Sequence, residues 1–218
     1  TEDQSIAKIV KDVLPKIEKL ISSALPKMKA GGRLCYIGAG TSGRLGVLDA
    51  SEIPPTYGVS NTVIAIIAGG ANAIRNAVEY AEDDLNNAWE ALTAHHITDK
   101  DFLLGIAASG ETPYVLGGIR AAKEKGIATG CIVCNLGSSI SKEVDWPVEL
   151  VTGPEFVTGS TRMKAGTAQK MALNMISTTL MIQLGKVKGN KMIDMQLSNN
   201  KLWNRAVRRM RPERGVAN

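Results

Sequence analysis

Aromatic side chains make up only 4% of the 218 residues, which argues against base stacking or an aromatic cage as the main business of this chain. Histidine is scarcer still. His95 and His96 stand side by side between polar neighbours, as solvated loop or helix-end residues do, and no zinc site can be assembled from that inventory. The three cysteines cannot form a paired framework. Cys131 and Cys134 have C-x-x-C spacing but fall in the apolar run 128–134, and on a strand residues three apart face opposite ways. Cys35 also lies in an apolar run, so all three read as reduced core thiols of a cytoplasmic protein. Long hydrophobic runs are missing too. The uncharged stretch 171–184 contains Asn174, Ser177, Thr178, Thr179 and Gln183 and falls short of the roughly 20 apolar residues of a bilayer span. Lys8, Lys11, Asp12 and Lys16 interrupt any secretory leader. The chain therefore reads as soluble, with no membrane partner. No G-x-x-x-x-G-K-[ST] occurs, so nucleoside triphosphate chemistry is unsupported.

What is present is ordinary globular composition, 44% apolar and 22% charged, long enough for a full core without disulfides or a structural metal. The net charge of +5 is local. Lys201, Arg205, Arg208, Arg209, Arg211 and Arg214, set against Glu213, account for all of it and leave residues 1–200 neutral. A nucleic-acid-binding body would carry its own basic stripe, so no nucleic-acid partner is expected.

Apolar residues at three- and four-residue spacing predict a helix over 5–29, closed by Gly31-Gly32. Apolar runs at 34–37, 63–68, 102–107, 128–134 and 147–151 predict five strands. Helices are expected at 45–50 (stopped by Pro54-Pro55), at 71–92 with a break near Glu82-Asp83-Asp84, at 113–125 and at 160–184. Continuous apolar strands alternating with helices indicate a doubly wound α/β domain with a five-stranded parallel sheet. In such folds ligands bind beyond the carboxyl ends of the strands, so the loops there are the informative ones.

After the first strand, Gly38-Ala39-Gly40-Thr41-Ser42-Gly43 spells G-x-G-x-x-G. The acid that a dinucleotide site needs at the end of the second strand is replaced by Ala68-Gly69-Gly70, which weakens that reading. Glycines for close approach, hydroxyls on Thr41 and Ser42, and a helix start suit a phosphate instead. The plainer alternative is a tight turn with Ser42 as a helix cap. The design recurs at Ser109-Gly110-Glu111-Thr112 and at Ser160-Thr161-Arg162-Met163-Lys164. Three such loops on one sheet edge point to an anionic ligand, with hydroxyls favouring a monophosphate. Glu52 and Glu82 stand out as a carboxylate pair able to share acid and base work if their surroundings separate them, or as solvated acids. Glu155 is a reserve.

These loops resemble the N-acetylmuramic acid 6-phosphate etherases. The resemblance is carried by Gly38-Ala39-Gly40-Thr41-Ser42-Gly43-Arg44-Leu45-Gly46, Leu48-Asp49-Ala50-Ser51-Glu52, Pro54-Pro55-Thr56, Ile67-Ala68-Gly69-Gly70, Ala77-Val78-Glu79, Ala81-Glu82-Asp83 and the run from Thr158 to Lys170. It spans most of 10–207. It implies a flavodoxin-like sugar isomerase (SIS) domain over 31–198, preceded by an N-terminal helix over 1–30. From 199 to 218 it implies the start of a helical C-terminal segment, which looks like a truncation or a divergent end. The implied activity is that of a bacterial cytoplasmic lyase of peptidoglycan recycling. Such a lyase splits the D-lactyl ether of N-acetylmuramic acid 6-phosphate with water, needs no cofactor or metal, and uses Glu52 and Glu82 as its acid/base pair. Gly40, Thr41, Ser42, Ser109, Thr112, Ser160, Thr161 and Lys164 would bind the sugar phosphate. Glu111 stands where that family usually carries Arg, although Ser-Gly-Glu-Thr also occurs in sugar phosphate isomerases. The alternatives are an aldose–ketose isomerase and a non-catalytic sugar phosphate sensor of the kind found in glucokinase regulatory proteins.

The amphipathic 5–29 helix and the apolar 160–184 helix together present more apolar surface than one small chain is expected to cover. A homodimer is therefore expected, and the resemblance implies active sites at the subunit boundary. The competing arrangement is an intrachain pair of helices over the sheet.

Overall fold

The computed structural model describes residues 2–193. The basic segment from Lys201 onward and the 199–218 segment lie outside them. A 3-10 turn at Glu2–Ser5 leads into α1 (Ile6–Asp12) and α2 (Leu14–Lys29), followed by β1 (Leu34–Gly38), α3 (Gly40–Tyr57), β2 (Val63–Ile67), α4 (Gly70–Ala73), α5 (Asn87–Ala94), β3 (Phe102–Ala107), α6 (Pro113–Glu124), β4 (Ala128–Val133), α7 (Ser139–Glu143), β5 (Trp146–Glu149), α8 (Lys164–Gln183) and a small hairpin of β6 (Val187–Lys188) and β7 (Lys191–Met192). The main sheet has the order β2-β1-β3-β4-β5, and every pair is parallel. Its order reverses between β1 and β3, so the crevice at their carboxyl ends is the expected ligand position.

Both faces of the sheet are covered, as the unbroken apolar strands foretell. One core holds Tyr36, Leu104, Ile132 and Val148 against α1, α2, α3 and α8. The other holds Cys35, Ile37, Leu103 and Val133 against α5, α6 and α7. Cys134 belongs to the first core and Cys131 to the second, the opposite facing that strand geometry requires. Burial pushes all three thiols up to about 12, which leaves them inert.

The structure corrects four expectations. The N-terminal helix is two helices, joined at Val13 ahead of Pro15, which occupies the first turn of α2 where its missing N–H costs nothing. The second helix does not stop at Pro54-Pro55. α3 runs through both prolines to a left-handed cap at Gly58, because Ile53 and Tyr57 are anchored in the core and hold the last turn against the bias of the residue before proline. The 71–92 stretch is mostly turns, with only α4 and α5 helical. Finally, α1 and α2 pack against α8 within one chain: Ile6, Val10, Ile17, Leu20, Leu173, Ile176 and Leu180 are buried together. The area argument for a dimer therefore loses its premise, since the sheet offers one wide face on which α1, α2, α3 and α8 share a core.

Candidate active site at the carboxyl edge of the sheet

The close turn from β1 into α3 explains two of its glycines. A Cβ on Gly43 would meet Ile67 Cγ1 at 2.6 Å and Gly38 O at 2.8 Å, and one on Gly38 would meet Gly43 at 2.9 Å. Strand and helix touch there, as phosphate-binding turns require. α3 begins at Gly40 with no side-chain cap, which leaves the first amides of the helix to a ligand. Thr41 is half-buried beside them. Ser42 is not the cap: it lies inside the first turn, buried, and its hydroxyl donates to Gln169 Oε1 at 2.9 Å. In this conformation Ser42 ties α3 to α8 and offers a ligand only its backbone.

Beside this helix start lies a cleft of 320 Å³ lined by Gly40, Arg44, Glu79, Tyr80, Glu82 and Asp83, among others. Glu82 is exposed on its wall, and its carbonyl accepts from Tyr114 N at 3.0 Å, which ties the wall to α6. Glu52 is elsewhere. It is exposed twelve residues into α3, about 18 Å along the axis from Gly40 at 1.5 Å per residue. Glu52 is not among the residues that line this cleft, whereas Glu82 is.

The other two loops reach the same edge. Thr112 precedes α6 with its hydroxyl unused for capping, and Ser109 is exposed, its Oγ accepting from Glu111 N at 3.2 Å. The Glu111 carboxylate turns to the start of α7, where Oε1 accepts from Ser139 N at 2.8 Å, and the Ser139 donors hold it below its ordinary value. The third loop is 160–163, so α8 starts later than expected. Ser160 is half-buried and Thr161 exposed. A Cβ on Gly166 would lie 3.5 Å from Thr41 Cγ2 and 3.6 Å from Thr161 O, so the first and third loops adjoin there. Lys164 is buried and paired with Glu2 at 2.6 Å. Glu155 caps α8, accepting from Lys164 N and Ala165 N at 2.9 Å each.

Comparison with known proteins fits this geometry. The glucokinase regulatory protein N-terminal SIS domain matches residues 16–123 and the SIS domain matches 84–179. Phosphoheptose isomerases from Francisella tularensis and Neisseria gonorrhoeae share the fold with TM-scores of 0.62 and 0.61 at 16% and 15% identity, covering 84% and 82% of this chain and 92% of each of theirs. An N-acetylmuramic acid 6-phosphate etherase from Christiangramia forsetii is 64% identical over 208 residues, 95% of this chain and 76% of its own. One from Bacteroides fragilis is 59% identical over 216 residues, 99% and 77%. The chain belongs to the N-acetylmuramic acid 6-phosphate etherase family.

In this etherase-family chain three groups near the site escaped the sequence reading. Arg44 lines the cleft and donates from Nε to Ile74 O at 3.2 Å and from Nη2 to Asn76 O at 2.9 Å. Gln169 is fully buried, and its Nε2 has no partner among the described residues. Asp49, buried on α3, accepts from Tyr36 Oη at 3.0 Å and Ser177 Oγ at 3.1 Å, with Lys170 Nζ at 3.9 Å. Burial raises its carboxyl above the ordinary value despite these donors. The place of Arg44 directly after the glycine loop was visible in the sequence, but its position in the cleft lining was not. Among the described residues no group of three or more His, Cys, Asp or Glu is placed to hold a metal, and no helix is long and apolar enough to cross a membrane.

Proposed function

We propose that this chain is an N-acetylmuramic acid 6-phosphate etherase, converting its substrate and water to N-acetylglucosamine 6-phosphate and D-lactate in the bacterial cytoplasm. The observation that carries the reading is the 64% identity with a protein of that name. The cleft supports it by setting Glu82 beside the uncapped start of α3.

Ring opening exposes the C1 aldehyde and acidifies the C2 proton. A base removes that proton, the C3–O bond breaks, and the lactate oxygen takes a proton from an acid. Water then adds its oxygen to C3 of the unsaturated aldehyde and a proton returns to C2. Glu82 and Glu52 take these acid and base roles, each worth on the order of 10²–10⁴-fold. The phosphate is held by the open amides at Gly40 and Thr41 and by the hydroxyls of Thr41, Ser109, Thr112, Ser160 and Thr161. It anchors the sugar so that C2 and C3 are positioned for reaction. Ser42 and Lys164 contribute through the scaffold unless Gln169 and Glu2 release them.

Glu52 lies about 18 Å along α3 from Gly40 and outside the cleft lining, so a second copy that brought its Glu52 to the Glu82 cleft would complete the pair. This favours a homodimer with composite sites. The test is D-lactate release from N-acetylmuramic acid 6-phosphate. Glu52→Gln and Glu82→Gln chains should each lose at least a hundredfold, and mixing the two should restore activity towards a quarter of wild type, since a hybrid dimer keeps one intact site. Mixtures no more active than the separate variants would reject the composite site. Substrate bound without lactate release would indicate a sensor, and ketose formation an isomerase.

A further inference from the structure

We propose that Arg44 is the receptor for the lactyl carboxylate of the substrate and so separates the lactyl ether sugar from its unsubstituted product. The inference rests on the etherase reading of the site. Arg44 is the one cation among the residues lining the cleft, whose wall also carries Glu79, Glu82 and Asp83. Its guanidinium is fixed from one side by the Ile74 and Asn76 carbonyls. A guanidinium has five N–H donors, and no acceptor for Nη1 is found among the described residues. What remains is an oriented, open edge with the fork geometry that suits a carboxylate. Because two backbone carbonyls already hold the side chain, little of its rotamer freedom is left to lose on binding.

The substrate offers two anions, a phosphate and a carboxylate. The phosphate carries about −1.5 to −2 at neutral pH and is poorly matched to a wall with three carboxylates and one guanidinium. It is better placed at the open amides and hydroxyls of the sheet edge. The carboxylate has a single charge. Its carbon is two bonds from the ether oxygen, so a cleft that presents an acid/base group to that ether must hold the carboxylate as well. Glu82 is that group, and Arg44 is the cation within the same walls.

The competing role is a strap between α3 and the 74–76 segment, which would affect every ligand alike. The experiment uses the 218-residue chain with R44M and R44K. It measures KM for N-acetylmuramic acid 6-phosphate by D-lactate release, and the inhibition constant of N-acetylglucosamine 6-phosphate, which has the phosphate but no carboxylate. R44M should raise KM tenfold to a hundredfold while the inhibition constant stays within threefold. R44K, which keeps the charge and loses the fork, should fall between, and its selective KM rise alone carries the proposal if R44M does not fold. An unchanged KM, or parallel weakening of both constants, would overturn the assignment in favour of a strap or a phosphate contact. A wild-type chain that releases no D-lactate would bring down the etherase reading and Arg44 with it. Lactate release with parallel losses brings down Arg44 alone.

Discussion

At the edge where the strands begin, polar groups are closed on one another. Asp101 is buried and accepts from Arg33 N at 2.8 Å, Arg33 Nε at 3.1 Å, Arg33 Nη2 at 2.9 Å and Thr98 N at 2.9 Å. The same guanidinium donates to His95 O and His96 O. At the edge where the strands end, no side-chain hydrogen bond is found among the described residues for Thr112, Ser160 or the Thr41 hydroxyl, and Arg44 keeps an open face. One fold, one sheet and similar residue types give opposite outcomes. Thr41, Thr112 and Ser160 are half-buried, so water can satisfy them in the free chain, and a ligand that replaces that water meets donors the fold has not claimed. Saturated polar groups belong to the scaffold here, and the unclaimed ones are those the proposed site would use.

That contrast is broken most easily at the closed edge. Asp101→Asn should lower stability by about 3 kcal/mol, because it strands the Arg33 charge, and the melting temperature should fall by roughly 6–12 °C. KM should hardly change, and urea denaturation beside steady-state kinetics checks both. Burial alone would push the Asp101 carboxyl up, but the Arg33 guanidinium and the Arg33 and Thr98 amides outweigh it and leave it below its ordinary value. Its stabilisation is therefore present above the unfolded value near pH 4 and is lost as pH falls through the lower folded value.

Thr41→Val at the open edge should do the reverse. It should raise KM about tenfold through one lost hydrogen bond to a charged group, with the unfolding midpoint unmoved. A large drop in stability there would erase the distinction between the edges.

Asp49 sharpens the comparison from between the two, and its effect is the smallest. Burial raises its carboxyl, so its sign is opposite to that of Asp101. The ionised form is disfavoured in the fold, and stability declines as pH rises from the unfolded value through the higher folded one. Asp49→Asn should stay within about 1 kcal/mol of wild type at neutral pH and gain on it as pH rises from 4. Equal pH slopes for the two proteins would refute the assignment.

The five strands were legible because a parallel strand covered on both faces must be apolar throughout, and that pattern survives in a single sequence. The hydroxyl loops were legible for a related reason: small residues and helix starts are local chemistry. The course of α3 past Pro54 was not, because Ile53 and Tyr57 hold it through core contacts that no local rule records. The 71–92 stretch misled because helix-forming alanines there, such as Ala77 and Ala81, lie in non-helical segments that line the cleft.

By itself the sequence determined the order of the elements, the sheet class, the inert thiols and the motifs of the family, since each depends on residues within a few positions of one another. The tertiary structure decided which of those residues face a ligand. Ser42 is claimed by Gln169, Lys164 by Glu2 and the start of α8 by Glu155. The first two contacts join residues more than a hundred positions apart, and the third crosses a loop of no regular structure. A side chain has only a few donors and acceptors, and whether they remain free for substrate depends on which distant partner the fold brings within about 3 Å.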